Sequence, residues 1–139
     1  MGRIIGLDVG DKTIGVSVSD PLFITAQGIK TIFRNGIKKD LEELRRIILE
    51  YEVEKAIIGL PKNMDNSLGF QGEKVMKFSE KFKREFPEID IEFIDERLTS
   101  VSAERVLIEG EMRRNKRKKV IDKVAAVYIL QMYLDKKVI

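Results

Sequence analysis

The sequence predicts an α/β protein built on a five-stranded mixed sheet with helices on both faces, and three observations carry that prediction. The first third of the chain opens with three strand-like runs separated by short connections, with no helical stretch between them. Two amphipathic helical stretches then alternate with two short apolar runs, the pattern that generates parallel strand pairs. Two further helical stretches close the chain, so the order reads β-β-β-α-β-α-β-α-α. A length of 139 residues suffices for one core and not for two, and residues 1–139 are expected to form a single domain.

Each element follows from local pattern. The opening stretch IIGLDVGDKTIGVSVSD, residues 4–20, reads as a hairpin. Strand alternation puts Ile5, Leu7 and Val9 on one face and Gly6, Asp8 and Gly10 on the other. After a turn at Gly10-Asp11-Lys12, the returning strand repeats the division, with Ile14, Val16 and Val18 opposed to Gly15, Ser17 and Ser19. The hairpin thus has one apolar face and one small, polar face. GIKTIF, residues 28–33, completes a three-stranded meander. In KKDLEELRRIILEYE, Leu41, Leu44, Ile47, Ile48 and Tyr51 recur at helical spacing. EKAIIGL is a short apolar strand ended by Gly59 and Pro61, and PKNMDNSLGFQG is a polar connector rich in turn formers.

A second helix is predicted from Glu73 to Phe86, stopped by Pro87. IDIEFID is the fifth strand, with Ile89, Ile91 and Phe93 alternating with Asp90, Glu92 and Ile94. Thr99 or Ser100 can cap a third helix that runs to Gly110. VIDKVAAVYILQMYLDKK forms the last helix, with Ile121, Val124, Ala125, Tyr128, Ile129 and Met132 as its predicted buried stripe.

Composition narrows the chemistry. The chain has neither cysteine nor histidine, which removes disulfides, thiolate and imidazole metal sites, cysteine nucleophiles and histidine general bases. Any catalysis must use carboxylates, lysines, hydroxyls or bound metal, and a carboxylate-only site favours hard cations such as Mg²⁺ or Mn²⁺. No apolar run is long enough for a membrane span or a signal peptide with its cleavage site, so a cytoplasmic protein without a membrane partner is expected. The net charge of +3 is unevenly placed. RRNKRKK, residues 113–119, carries six positive charges and no negative one, and without it the remainder stands at −3. Such asymmetry suits polyanion binding through one segment.

Three acidic positions fall where α/β folds build sites, at the carboxyl ends of strands and on the neighbouring helix. Asp8 lies late in the first strand, Asp95-Glu96 ends the fifth, and Asp122 opens the last helix. A buried carboxylate is costly without a cation or hydrogen-bond donors, and a flank of glycines leaves Asp8 open to a partner. Taken singly, each acid has a plainer reading. Asp8 could be an aspartate hydrogen-bonded to its turn, Glu96 could belong to a surface ion pair with Arg97, and Asp122 could serve the helix dipole.

Four segments in order, DVGDKTIGVSVSD, GLPKNMDNS, DERLTS and IDKVAA, spread along nearly the whole chain, resemble the bacterial YqgF family, also called RuvX. The resemblance implies an RNase H-like fold, similar to that of Holliday junction resolvases, and a nuclease associated with maturation of the 5′ end of 16S ribosomal RNA. It implies that Asp8, Glu96 and Asp122 are the catalytic acids and the ligands of Mg²⁺ or Mn²⁺. Lys123 departs from the pattern, which usually carries a small residue after the motif aspartate. Many RNase H-like sites hold a fourth acid; Asp95 is the nearest candidate, although alternation points it away from Glu96.

The implied reaction is phosphodiester hydrolysis assisted by two divalent cations, with RNA favoured over DNA and pre-ribosomal particles as possible partners. Lys12, Lys62, Asn63 and Arg97, on the strand-end rim, are candidates to contact substrate phosphates. So are Arg113, Arg114, Lys116, Arg117, Lys118 and Lys119, in a run read as a mobile loop that nucleic acid orders. Two rivals share the fold and the basic run: a Holliday junction DNA resolvase, and a non-catalytic nucleic-acid-binding ribosome-assembly factor. An ATPase of the actin and hexokinase type also opens with a strand and an Asp-x-Gly turn, but it requires a second lobe for which this chain is too short. The acids discriminate among these readings, because a binding module gains nothing from gathering carboxylates against a polyanion.

Overall fold

A computed structural model of the chain describes residues 2–96 and 114–137, without the side chains of 114–122 and 137. The elements are β1 (Arg3–Val9), β2 (Thr13–Ser19), β3 (Ala26–Phe33), α1 (Ile37–Tyr51), β4 (Val53–Leu60), α2 (Gly69–Glu85), β5 (Asp90–Asp95) and α3 (Arg114–Lys137). The helix predicted between Thr99 and Gly110 lies outside the described residues. The strands form one sheet in the order β3-β2-β1-β4-β5. β1 pairs antiparallel with β2, and β2 with β3, whereas β1–β4 and β4–β5 are parallel. This is the predicted meander followed by two crossovers, each supplied by a helix because parallel neighbours cannot be joined by a tight turn.

The two faces of the sheet bury different side chains. Ile5, Leu7, Ile14, Val16 and Val18 of the hairpin, with Ala56, Ile58 and Leu60 of β4, pack against Leu41, Leu44, Ile47 and Ile48 of α1 and against Val75, Phe78, Phe82 and Phe86 on and after α2. The opposite face carries α3, where Ile129, Leu130, Tyr133 and Leu134 meet Ile4, Ile57 and Ile94. β4 is therefore apolar on both sides, as a central parallel strand covered by helices must be.

α3 approaches the sheet closely because the hairpin face beneath it lacks bulk. A Cβ added at Gly6 would stand 2.5 Å from Ser17 Oγ and 2.7 Å from Leu130 Cβ. The fully buried Ser17 hydroxyl donates to the Ala126 carbonyl at 2.8 Å, joining β2 to the helix backbone. Its neighbour Ser19, also fully buried, accepts a 3.0 Å hydrogen bond from the Ile4 amide. The small residues of the hairpin are thus the seat of a helix, and the two hydroxyls among them are satisfied by backbone groups.

The starts of β3, α2 and α3 and one helix face differ from the sequence reading, β3 opening at Ala26 rather than Gly28. α2 begins at Gly69 rather than Glu73. α3 begins at Arg114, so Arg114, Lys116, Arg117, Lys118 and Lys119 lie in its opening turns rather than in a loop. Lysine and arginine are good helix formers, and the run contains no glycine or proline to stop propagation. Among the described side chains of α3, Ala125, Ala126, Ile129, Leu130, Tyr133 and Leu134 are buried, rotated from the predicted stripe, with Val124, Tyr128 and Met132 only partly covered and Ile121 outside the described side chains. VAAVYIL has no polar residue to mark an outer face, so periodicity alone leaves the orientation open, and contact with the small face of the hairpin selects it. No helix among the described residues is long and apolar enough to cross a membrane.

Replacing Gly6 by valine is expected to destabilise the fold by at least about 2 kcal/mol, since the added atoms meet both a buried hydroxyl and the body of α3. Equilibrium urea unfolding checks this, and a change within about 0.5 kcal/mol of the parent, the range of an ordinary surface substitution, would contradict the close approach.

Candidate active site

Asp8 lies one residue before the end of β1, on the same face as Gly6 and hence beneath α3. The sheet around it is almost bare of side chains. Gly6 and Gly10 flank it along the chain, Gly15 is its partner on β2, and the parallel register that pairs Leu7 with Ile58 brings Gly59 of β4 level with it. The sequence reading of an open carboxylate holds only within the plane of the sheet. With α3 above, Asp8 is 8% exposed.

Glu96 follows directly on β5, two strands from Asp8. Its side chain lies across the intervening strand: a Cβ at Gly59 would stand 2.7 Å from Glu96 Oε1 and would also collide with Ile129 of α3. Gly59 therefore provides the space in which this carboxylate turns towards β1. Adjacent strands are about 4.8 Å apart, so a carboxylate held over β4 is within about one strand spacing of the row that carries Asp8. Asp95 is placed differently. It pairs in register with Leu60, whose side chain enters the core beneath α1 and α2, so Asp95 belongs to the opposite face from Glu96.

Asp122 lies on α3, one turn before Ala126, the residue whose carbonyl is held by Ser17 above β1 and β2. Its side chain is outside those described. Among the described residues no group of three or more acidic side chains comes together as a metal cluster, and Asp8 with Glu96 is the pair the sheet brings to one face. Next to Asp122, the exposed Lys123 lays its stem over Gly28 of β3, where a Cβ would be 2.7 Å from Lys123 Cγ. A long side chain is accommodated after the motif aspartate because the strand below it is bare.

The other candidates divide. Lys12 is exposed in the β1–β2 turn, and its carbonyl accepts from the Arg34 amide at 2.9 Å, so this turn is fastened to the end of β3. Lys62 is half-buried just after β4. Asn63 organises its own loop: its amide N–H donates to the Ser67 carbonyl at 2.8 Å, its Nδ2 donates to Ser67 Oγ at 2.9 Å, and its carbonyl accepts from the Asn66 amide at 3.0 Å. Arg97 and Arg113 lie outside the described residues. Sequence reasoning missed Gly59 as a positioning element. The available signal was a glycine interrupting the apolar run of a central strand, a known mark of close approach by another group.

A meander followed by two parallel crossovers, with helices on both faces of the sheet, is the architecture of the RNase H-like fold. Solved structures agree on the fold. The chain is similar to Thermus thermophilus RuvC in complex with a Holliday junction substrate, with a TM-score of 0.59, 11% identity and coverage of 99% of this chain and 96% of that one. Its likeness to the Fowlpox virus resolvase bound to its substrate Holliday junction DNA has the same TM-score, 15% identity and 99% coverage of both chains. Residues 2–136 match the RuvX family, described as Holliday junction resolvase, and the chain belongs to that family. It is 64% identical over 137 residues to a Clostridioides difficile protein named "Putative pre-16S rRNA nuclease", covering 99% of this chain and 96% of the relative. A Clostridium novyi protein of the same name is 56% identical over 133 residues, with coverage of 96% and 98%.

Ser17→Ala is expected to cost about 1 kcal/mol, the net value of a buried hydrogen bond, because the Ala126 carbonyl loses its link to the sheet. Urea unfolding measures the loss, and parent stability would show that the hydroxyl does not tie α3 down.

Proposed function

We propose that this protein is a metal-dependent nuclease that hydrolyses phosphodiester bonds in the 5′-end processing of pre-16S ribosomal RNA. The observation that carries the reading is the placement of Asp8 and Glu96 on one face of the sheet, with Gly59 bare between them. Like charges gathered on one face oppose each other's ionisation, and a divalent cation between them would relieve that repulsion. The donor set, all carboxylate oxygen, fits Mg²⁺ or Mn²⁺. Asp8, Glu96 and Asp122 would hold the ions. When bound, they would acidify an attacking water and stabilise the charge on the leaving oxygen.

The chain's own contribution is positioning. β1 fixes Asp8 from the centre of the sheet, Gly59 gives Glu96 its path across β4, and the Ser17 link holds the part of α3 that follows Asp122. Lys12 and Lys62 stand at the strand ends, where they would meet the phosphates flanking the scissile bond. The basic opening turns of α3 are close in sequence to Asp122, so a polyanion attracted there would be drawn towards the acids. RNA and pre-ribosomal particles are proposed as targets because the similar bacterial proteins carry a pre-16S rRNA name. The family's description supports a second substrate, the four-way DNA junction.

Incubation of both labelled substrates with Mg²⁺, Mn²⁺ or EDTA tests the proposal. Asp8→Asn, Glu96→Gln and Asp122→Asn should each lower cleavage by at least about 10²-fold, since even groups that merely support a metal ligand are worth about 10- to 100-fold. Asp95→Asn should remain close to the parent. Parent-level cleavage by purified, folded Asp8→Asn would overturn the assignment, and a larger loss from Asp95→Asn than from Glu96→Gln would transfer the role to Asp95.

A further inference from the structure

On the face opposite Asp8, a cleft of about 400 Å³ opens between the β1–β2 turn, the start of α1 and the exposed flank of α2. Four cations line it, Arg34, Lys74, Lys77 and Lys81, against two acids, Asp11 and Asp40. Both acids are already engaged. Asp40, 2% exposed, accepts from Arg34 Nε and from the Asn35 amide, each at 3.0 Å. Asp11 accepts from Lys74 Nζ at 2.9 Å and from Gln71 at 3.2 Å, and these bonds hold its carboxyl below the usual range. Arg34 is further fixed by donating to the Gly10 carbonyl at 2.9 Å and by lying 5.6 Å over the Phe78 ring.

Lys77 and Lys81 remain, with no carboxylate in ion-pair range among the described residues. With Lys74 they occupy positions i, i+3 and i+7 of α2, one row along a single helix face. Like charges spaced i to i+4, as Lys77 and Lys81 are, slightly oppose helix formation. Among the described residues, Lys77 and Lys81 therefore gain no ion pair from the fold, and the common exit of the row into a cleft already holding a fixed guanidinium suits an anionic ligand. The rim nearest Asp8 is the Gly10-Asp11-Lys12 turn, two residues beyond that acid. A strand crossing this turn would pass from one face of the sheet to the other.

We propose that this cleft is a second phosphate subsite, taking the nucleic-acid backbone that flanks the scissile bond. The proposal rests on the nuclease reading above. Lys77 and Lys81 are exposed, so Lys77→Gln/Lys81→Gln should fold as the parent does. Arg46→Gln/Lys136→Gln removes the same charge from exposed positions outside the cleft and serves as the control. Binding of labelled single-stranded pre-16S RNA is titrated with salt in Ca²⁺. The cleft variant should bind more weakly, with the log K against log [salt] slope reduced in magnitude by about 1.4, or about 0.7 for each single-strand phosphate that is no longer neutralised. The control should keep the parent slope. Parent-like affinity and slope in the cleft variant would overturn the subsite, as would equal losses in both variants, which would reflect net charge alone, or absence of RNA binding by the parent. Failure of the nuclease reading is seen separately, as equal cleavage by the parent and Asp8→Asn, and leaves the binding comparison intact.

Discussion

The close seating of α3 on the small-residue face of β1, β2 and β4 is the constraint on which the rest of the architecture depends. Without side chains at Gly6 and Gly59, and with the Ser17 hydroxyl satisfied by the Ala126 carbonyl, helix and sheet meet near backbone contact. A larger residue at either glycine would lift the helix or turn Glu96 away. The consequence is chemical as well as mechanical. The patch that admits α3 is also the one around Asp8, so the carboxylate is covered without being crowded by its strand neighbours.

The two faces of the sheet are packed differently. Towards α1 and α2, large aliphatic and aromatic side chains interlock, and burial of this kind supplies the main favourable term in folding. Towards α3, the core is smaller and ends where the acids begin. The Arg34–Asp40 pair links the two regions. Through Arg34 it joins the Gly10 carbonyl of the β1–β2 turn to the first turn of α1, and so braces the strand end that carries Asp8. The buried Asp40 carboxylate is tolerated because both its oxygens accept hydrogen bonds, one from the half-buried Arg34 and the other from the Asn35 amide.

Charge is segregated in the same way. Asp8 and Glu96 lie on the face that α3 covers, while basic residues are concentrated in the sequence of the opening turns of that helix and, on the other face, along α2. A uniform mixture of the same residues would carry the same small net charge but produce no local field. Separation of this kind produces local potentials of opposite sign on one small molecule.

Much was legible in the sequence because strands and helices are written in short-range periods. The alternation in IIGLDV and TIGVSV separated an aliphatic face from a small one, the spacing of Leu41, Leu44, Ile47 and Ile48 marked α1, and four ordered segments marked the family. The strand parity of DE at the end of β5 also separated Asp95 from Glu96. Local pattern could not decide which side of VAAVYIL meets the sheet, that Gly59 is the space across which Glu96 reaches, or that the α2 lysines share a cleft with Arg34. Each of these depends on residues distant in the chain brought together by strand order and register. A sequence records its own side chains and their period, whereas the space left by a missing side chain acquires meaning only when another element is packed over it.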